Sequence, residues 1–297
     1  MARKSLGRPL MENKKDKIEI FDERGNSRGY YHPENQLNDL TGKEWVFATK
    51  SVIPKSYPPS FQQQLRNQHG GQKPPELCAE LIETFTKKGE KVLDPFAGVG
   101  GTLLGCSITN RIGIGIEKNQ KWIDLYKEVC RLEKINEQKI VLGDSKEQLH
   151  KLKEKFDFIL TDIPFWIMDK APKSKGVYKK HGEEAKGIYS DKSKLSAFDE
   201  DNPKTKEEWK LLLKNVFTIC IDLLKENKYC AIFIGNMYFN GRYHLLNADL
   251  TEIMEQIGFV LKAEKIWYDV AKKLHLYGIN YAFIPSIVHQ YIMIYRK

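Results

Sequence analysis

Apolar positions are sparse and irregular over the first quarter of the chain, and then they settle into a repeating order. From residue 1 to about 72 polar residues dominate, and proline-bearing stretches at 33–38 and 54–59 read as loops. Leu77, Leu81, Ile82 and Phe85 then recur at helical spacing and predict a helix over 75–87. Short apolar runs follow at 92–93, 112–116, 140–142 and 158–160, each separated from the next by room for a helix. A charged stretch at about 169–208 interrupts this order and is too long for a simple connection. Helical spacing returns over 209–225, a buried strand is predicted at 229–234, a helix at 250–257, and closing strands at 260–267 and 288–295. Alternating strands and helices imply an α/β domain on a mostly parallel sheet, beginning near residue 73 and running to 297. Residues 1–72 read as an arm or accessory segment, and 169–208 as an insertion.

Composition narrows the setting. At 297 residues the chain has room for one large catalytic core with additions. A mean hydropathy of -0.51 leaves no space for an extended membrane span, and the start, MARKSLGRPLMENKK, lacks the apolar run of a secretory signal. A cytoplasmic protein is therefore expected. Five scattered cysteines without a C-x-x-C pair read as reduced structural thiols, and no metal site is expected. A net charge of +9 favours a polyanionic partner, because lysine and arginine displace the counterions of phosphates.

The densest chemistry sits between the run at 92–93 and the helix that follows it. Asp94-Pro95-Phe96-Ala97-Gly98-Val99-Gly100-Gly101-Thr102 reads as a ligand-cradling turn, since glycines permit positive φ and the next helix presents unpaired N–H groups. A tight turn without a ligand is the plain alternative. A dinucleotide fingerprint fits poorly, because Leu103 stands where glycine or alanine is required. Glu117 and Asp144, the latter followed by Ser145, end the next two strands, and in a parallel sheet those ends line the ligand crevice. Singly, each acid also reads as a helix cap or a surface charge. The fourth strand runs into Asp162-Ile163-Pro164-Phe165-Trp166.

These segments resemble a known family. Asp94-Pro95-Phe96-Ala97-Gly98-Val99-Gly100 is similar to the cofactor motif of the DNA N6-adenine and N4-cytosine amino-methyltransferases. Asp162-Ile163-Pro164-Phe165 is similar to their catalytic motif, usually Asp-Pro-Pro-Tyr or Asp-Pro-Pro-Phe. Lys73-Pro74-Pro75-Glu76-Leu77 resembles the element that helps hold the methionine end of the cofactor. The resemblance implies a doubly wound, mostly parallel seven-stranded sheet of the Rossmann-like methyltransferase type, with S-adenosylmethionine as cofactor. It implies that Lys73, Pro74, Asp94, Phe96, Gly98, Gly100 and Thr102 bind that cofactor, together with Glu117, Asp144 and Ser145. It also implies that Asp162 and the Ile163 carbonyl hold the target amine and that Phe165 stacks on the base, with Pro164 counted among the catalytic residues as the third of the motif. Ile163 stands where proline is usual, so packing must supply the stiffness that proline's fixed φ would give. The cofactor motif precedes the catalytic one, an order that resembles a circular permutation.

The expected partner is DNA, ahead of RNA, and the expected target is adenine N6. Cytosine N4, guanine N2 of RNA, and a catalytically silent nucleic-acid-binding protein are the alternatives. Target recognition is expected in the arm before residue 72 or in the stretch after Trp166. The monomer and the homodimer are left open. Residues 170–194 hold eight lysines, three acids and no arginine, a composition suited to backbone phosphates more than to bidentate base reading.

Overall fold

In the computed structural model, the described residues are 17–22, 24–164, 166, 203, 205–272, 274, 283 and 285–297. A hairpin of β1 (Ile18–Phe21) and β2 (Ser27–Tyr31) opens the chain, followed by α1 (Gly42–Ala48), β3 (Val52–Pro54) and α2 (Gln63–Arg66). The core then alternates: α3 (Pro75–Phe85), β4 (Lys91–Asp94), α4 (Gly101–Ile108), β5 (Ile112–Glu117), α5 (Gln120–Glu133), β6 (Lys139–Leu142), α6 (Ser145–Gln148) and β7 (Phe156–Asp162). It closes with α7 (Lys206–Leu223), β8 (Leu224–Ile234), a small hairpin of β9 (Met237–Phe239) and β10 (Arg242–His244), α8 (Leu246–Ile257), β11 (Val260–Tyr268) and β12 (His289–Arg296).

The main sheet has the strand order β3-β11-β12-β8-β7-β4-β5-β6. Five neighbours, β8 through β6 in that order, are parallel, and β12 runs antiparallel to both β8 and β11. The seven strands read from the apolar runs are all present. An eighth, β3, comes from the arm and pairs with β11 through Val52, Ile53 and Pro54. Three residues are too few to show a period, so no strand was read at 52–54; the loop read at 54–59 holds from 55 to 59, where no helix or strand is present.

Strand periodicity explains the two cores. On β8, Cys230, Ile232 and Ile234 face one apolar cluster while Ala231 and Phe233 face the other, and β12 divides Met293 and Tyr295 from Ile292 and Ile294 in the same way. The first face is covered by α7 and α8, the second by α3. Polar contacts also fasten the arm: Asn38 Nδ2 donates to the Thr84 carbonyl (2.7 Å), Tyr57 Oη to Glu80 (2.9 Å) and Trp267 Nε1 to the Lys55 carbonyl (2.9 Å). All five cysteines are buried and free, and among the described residues no helix is long and apolar enough to cross a membrane.

The chain builds outward from β4 through β5 to β6, then returns to the other side of β4 with β7 and β8. The order therefore reverses between β4 and β7. In open parallel sheets ligands bind outside the carboxyl ends of the strands at such a switch point. Asp94 ends β4 and Asp162 ends β7, so two of the three aspartates singled out in the sequence stand on either side of it.

Candidate active site

A shallow cleft, open to solvent, lies at this switch point and is lined by Lys73, Asp94, Phe96, Gly98, Thr102 and Asp162 among the residues singled out in the sequence. His69, Gly71, Gln72, Ala97, Val99, Gly101 and Phe233 complete the lining. The floor is the glycine turn. Gly98 and Gly100 have φ of 52° and 76°, and a Cβ on Gly100 would fall 2.2 Å from the Tyr126 ring. Only glycine lets the turn lie that close to α5 while α4 starts directly behind it.

Two carboxylates shape the turn. Asp94 is 3% exposed and accepts from Thr161 Oγ1 (2.6 Å) and from the Phe96 amide (3.0 Å). Burial raises its pKa to about 6, against the pull of those donors. Glu117, at the end of β5, does not line the cleft but accepts from the Gly98 amide (2.9 Å) and from the Asn119 amide (2.8 Å), locking the turn to the adjacent strand. Gly100 sits behind the lining as the N-cap of α4, and Pro74 caps α3.

Asp144 and Ser145 lie farther from this cleft. Asp144 is the N-cap of α6, accepting from the Lys146 amide (2.8 Å), and its carboxylate lies 3.6 Å from Lys146 Nζ. Ser145 Oγ donates to the Pro95 carbonyl, so its described contact braces the glycine turn from behind.

Asp162 faces the cleft as half of an ion pair. Lys73 Nζ, only 6% exposed, contacts Asp162 Oδ2 and lies 5.4 Å from the centroid of Phe233. Burial raises the Asp162 pKa from its ordinary 3.8, and the Lys73 ammonium opposes the rise. The other oxygen, Oδ1, is buried and has no hydrogen-bond partner among the described residues. Ile163 is 1% exposed within the larger apolar cluster, and the Pro164 carbonyl accepts from Trp209 Nε1 (2.8 Å). Phe165 lies outside the described residues.

Several lining residues were missed in the sequence because their segment has no period. Arg66, 2% exposed, donates to the carbonyls of Ser60, Phe61 and Lys73 and so gathers the stretch 60–73 into one bend over the cleft. That bend delivers His69 and Gln72. His69 meets Trp122 edge to face (5.0 Å), and burial, helped by Lys73, lowers its pKa to about 4, so the ring is neutral at physiological pH. Gly70-Gly71 just before Lys73-Pro74 was the available signal.

The model of a DNA methylase family, N6_N4_Mtase, matches residues 8–128 and 156–297. The chain belongs to this family. Type II methyltransferase M.HpaI of Haemophilus parainfluenzae is 41% identical over 100 residues, covering 33% of this chain and 29% of that protein. Type II methyltransferase M.HindIII of Haemophilus influenzae is 53% identical over 51 residues, covering 17% and 16%. The matched stretches thus span less than a third of these relatives' length. In fold, the chain is similar to TrmN from Thermus thermophilus, with a TM-score of 0.51 and 16% identity over 82% of this chain and 54% of that one. The fold is the Rossmann-like methyltransferase α/β fold, with a large, mostly parallel sheet.

Proposed function

We propose that the chain transfers a methyl group from S-adenosylmethionine to an exocyclic amine of a DNA base, with adenine N6 as the target. The observation that carries this reading is the pairing of a glycine-floored cleft with Asp162, whose Oδ1 is buried at the cleft without a partner among the described residues. Membership of the DNA methylase family supports DNA as substrate.

The cleft suits the cofactor. S-adenosylmethionine supplies an electrophilic methyl on a sulfonium, and a cation belongs among buried carboxylates such as Asp94. The neutral His69 adds no repulsion. Lys73, Asp94, Phe96, Gly98 and Thr102 would hold it from the lining, with Pro74, Gly100 and Glu117 setting the turn. Asp144 would serve from the end of β6 and Ser145 by bracing the turn.

The residues around Asp162 supply the other half of the reaction. An amine conjugated to a base ring is a poor nucleophile. A hydrogen bond accepted by Asp162 Oδ1, with a second accepted by the Ile163 carbonyl, directs lone-pair density away from the amine protons and toward the methyl. With the cofactor bound, the new N–C bond would form as the S–C bond breaks, the sulfonium would leave as a neutral thioether, and the surplus amine proton would pass to solvent by way of the Asp162 carboxylate. Lys73 on Oδ2 opposes the rise that burial causes in the Asp162 pKa, which favours the charged form, and orients the carboxylate for this. Positioning supplies the remainder of the rate gain. Phe165, the fourth residue of the motif, would stack on a base turned out of the duplex.

An aspartate opening the motif favours adenine, since cytosine enzymes of this family more often begin with serine. The relatives named Type II methyltransferases support methylation at a specific site within restriction-modification. The expected surroundings are the cytoplasm, with residues 1–72 and the segment 169–208 as the two places for target recognition. Nucleoside mass spectrometry of DNA and RNA from cells producing the protein tests this. N6-methyladenine in DNA supports the reading, N4-methylcytosine replaces the target base, and N2-methylguanine in RNA or no change overturns it.

A further inference from the structure

The catalytic motif lacks the proline that usually follows its aspartate, and the structure shows what stands in for it. Ile163 drives its side chain into the apolar cluster beneath the sheet end, where it is 1% exposed. Pro164, whose ring fixes its own φ, is held one step further by its carbonyl, which accepts from the indole N–H of Trp209 at 2.8 Å. Trp209 is fully buried in the same cluster as Ile163. It is the fourth residue of α7, whose first turn is fastened by a capping box: Thr205 Oγ1 accepts from the Glu208 amide (3.1 Å), and Glu208 from the Thr205 amide (3.3 Å). The tryptophan therefore stands on a rigid element, in a fixed rotamer environment, and spends its one donor on the loop.

We propose that Trp209 is the positioning residue of the catalytic loop, its indole N–H replacing the stiffness that a proline at 163 would supply. Two anchors then bracket the Ile163–Pro164 peptide: the Ile163 side chain in the core before it and the Trp209 hydrogen bond after it. Asp162 is itself tied from the other side by its β7 pairing with Phe233 and by Lys73. With both anchors in place the Ile163 carbonyl is held in one orientation next to Asp162, so that the amine of the base would meet both acceptors without rearrangement of the loop. This inference rests on the reading of residues 162–165 as the catalytic motif.

Trp209→Phe keeps an aromatic ring in the cluster while deleting the donor and part of the indole's volume, and Leu213→Ala controls for the lost volume. Single-turnover methyl transfer to DNA should slow by about tenfold or more, because a small misplacement of reacting groups costs that much, while the Kd for S-adenosylmethionine stays within about threefold. Leu213→Ala, one turn along α7 and also fully buried, loosens the same cluster without touching the loop. It should lower stability at an unchanged transfer rate. Adding Ile163→Pro should restore more of the rate in the Trp209→Phe background than it changes in the wild type.

Wild-type transfer in Trp209→Phe, equal rate losses in Trp209→Phe and Leu213→Ala, or parallel loss of rate and cofactor affinity would each overturn the proposal. Should Trp209→Phe not fold, hydrogen exchange of the Trp209 indole N–H in the wild type decides. Protection supports the anchor, and exchange as fast as in a free indole overturns it. A wild type that transfers no methyl removes the functional reading and this inference with it, whereas an active wild type beside an unaffected Trp209→Phe removes the inference alone.

Discussion

Replacing Lys73 with methionine keeps a long apolar stem beside Phe233 but removes the ammonium from Asp162 Oδ2. The carboxylate would then be left with neither oxygen partnered, at a site where its side chain is only 21% exposed. Breaking a buried ion pair from one side costs about 3–5 kcal/mol, and the partial exposure of Asp162 places this case near about 3 kcal/mol. The cost must depend on pH. Burial already raises the folded Asp162 pKa above its ordinary 3.8, so the folded state holds the proton more tightly than the unfolded one. Stability from this group is complete below 3.8 and is lost as the pH rises through the folded value. Without Lys73 the folded value moves further up, and the loss becomes deeper and extends to higher pH. Urea unfolding of the cofactor-free protein at pH 4.5, 6 and 8 should therefore show a gap between wild type and Lys73→Met that is within about 1 kcal/mol at the lowest pH and widens to about 3 kcal/mol at the highest. Lys73→Arg should close most of it. A gap that is constant with pH would refute the assignment of Lys73 to the Asp162 charge.

Asp94, with its pKa raised to about 6, should make wild-type stability fall by about 3 kcal/mol between pH 3.8 and 6, a slope that Asp94→Asn removes; parallel pH profiles of the two proteins would count against it. Gly100→Ala forces a side chain at φ 76° to within 2.2 Å of Tyr126 and should cost about 3 kcal/mol or more, with loss of cofactor binding by calorimetry; a variant of wild-type stability would mean the turn relaxes freely. The lysine-rich stretch 170–194 lies outside the described residues. Replacing Lys173, Lys175, Lys179 and Lys180 with alanine should lower the log-log salt slope of DNA binding by roughly 0.9 for each phosphate no longer neutralised, equally across sequences. An unchanged slope would separate the segment from the DNA backbone.

Much of this was legible in the chain because it rests on periodicity and on glycine. The apolar runs at 92–93, 112–116 and 158–160 fall within β4, β5 and β7, and the turn between Asp94 and Thr102 needs glycines for reasons that hold in any fold. Ends of elements were less legible. α7 begins at Lys206 because the Thr205–Glu208 capping box, not the first apolar residue, starts it, and β8 begins at Leu224, within the helical period assumed for 209–225. Contacts between distant segments were not legible at all. Lys73 reaches a residue 89 positions away and Trp209 one 45 positions away, and neither pairing leaves a trace in local spacing. Asp144, which the sequence allowed as a cofactor residue, a helix cap or a surface charge, is bonded as a cap, through the Lys146 amide.

Asp162 is the proposed acceptor of the target amine, and its role there is separable from cofactor binding. The most direct measurement pairs single-turnover transfer from labelled S-adenosylmethionine to DNA with calorimetric titration of the same cofactor, on wild type and Asp162→Ala. The variant should transfer no methyl while its cofactor Kd stays within about threefold, roughly 0.7 kcal/mol, of the wild type. Transfer by Asp162→Ala at the wild-type rate would contradict that role.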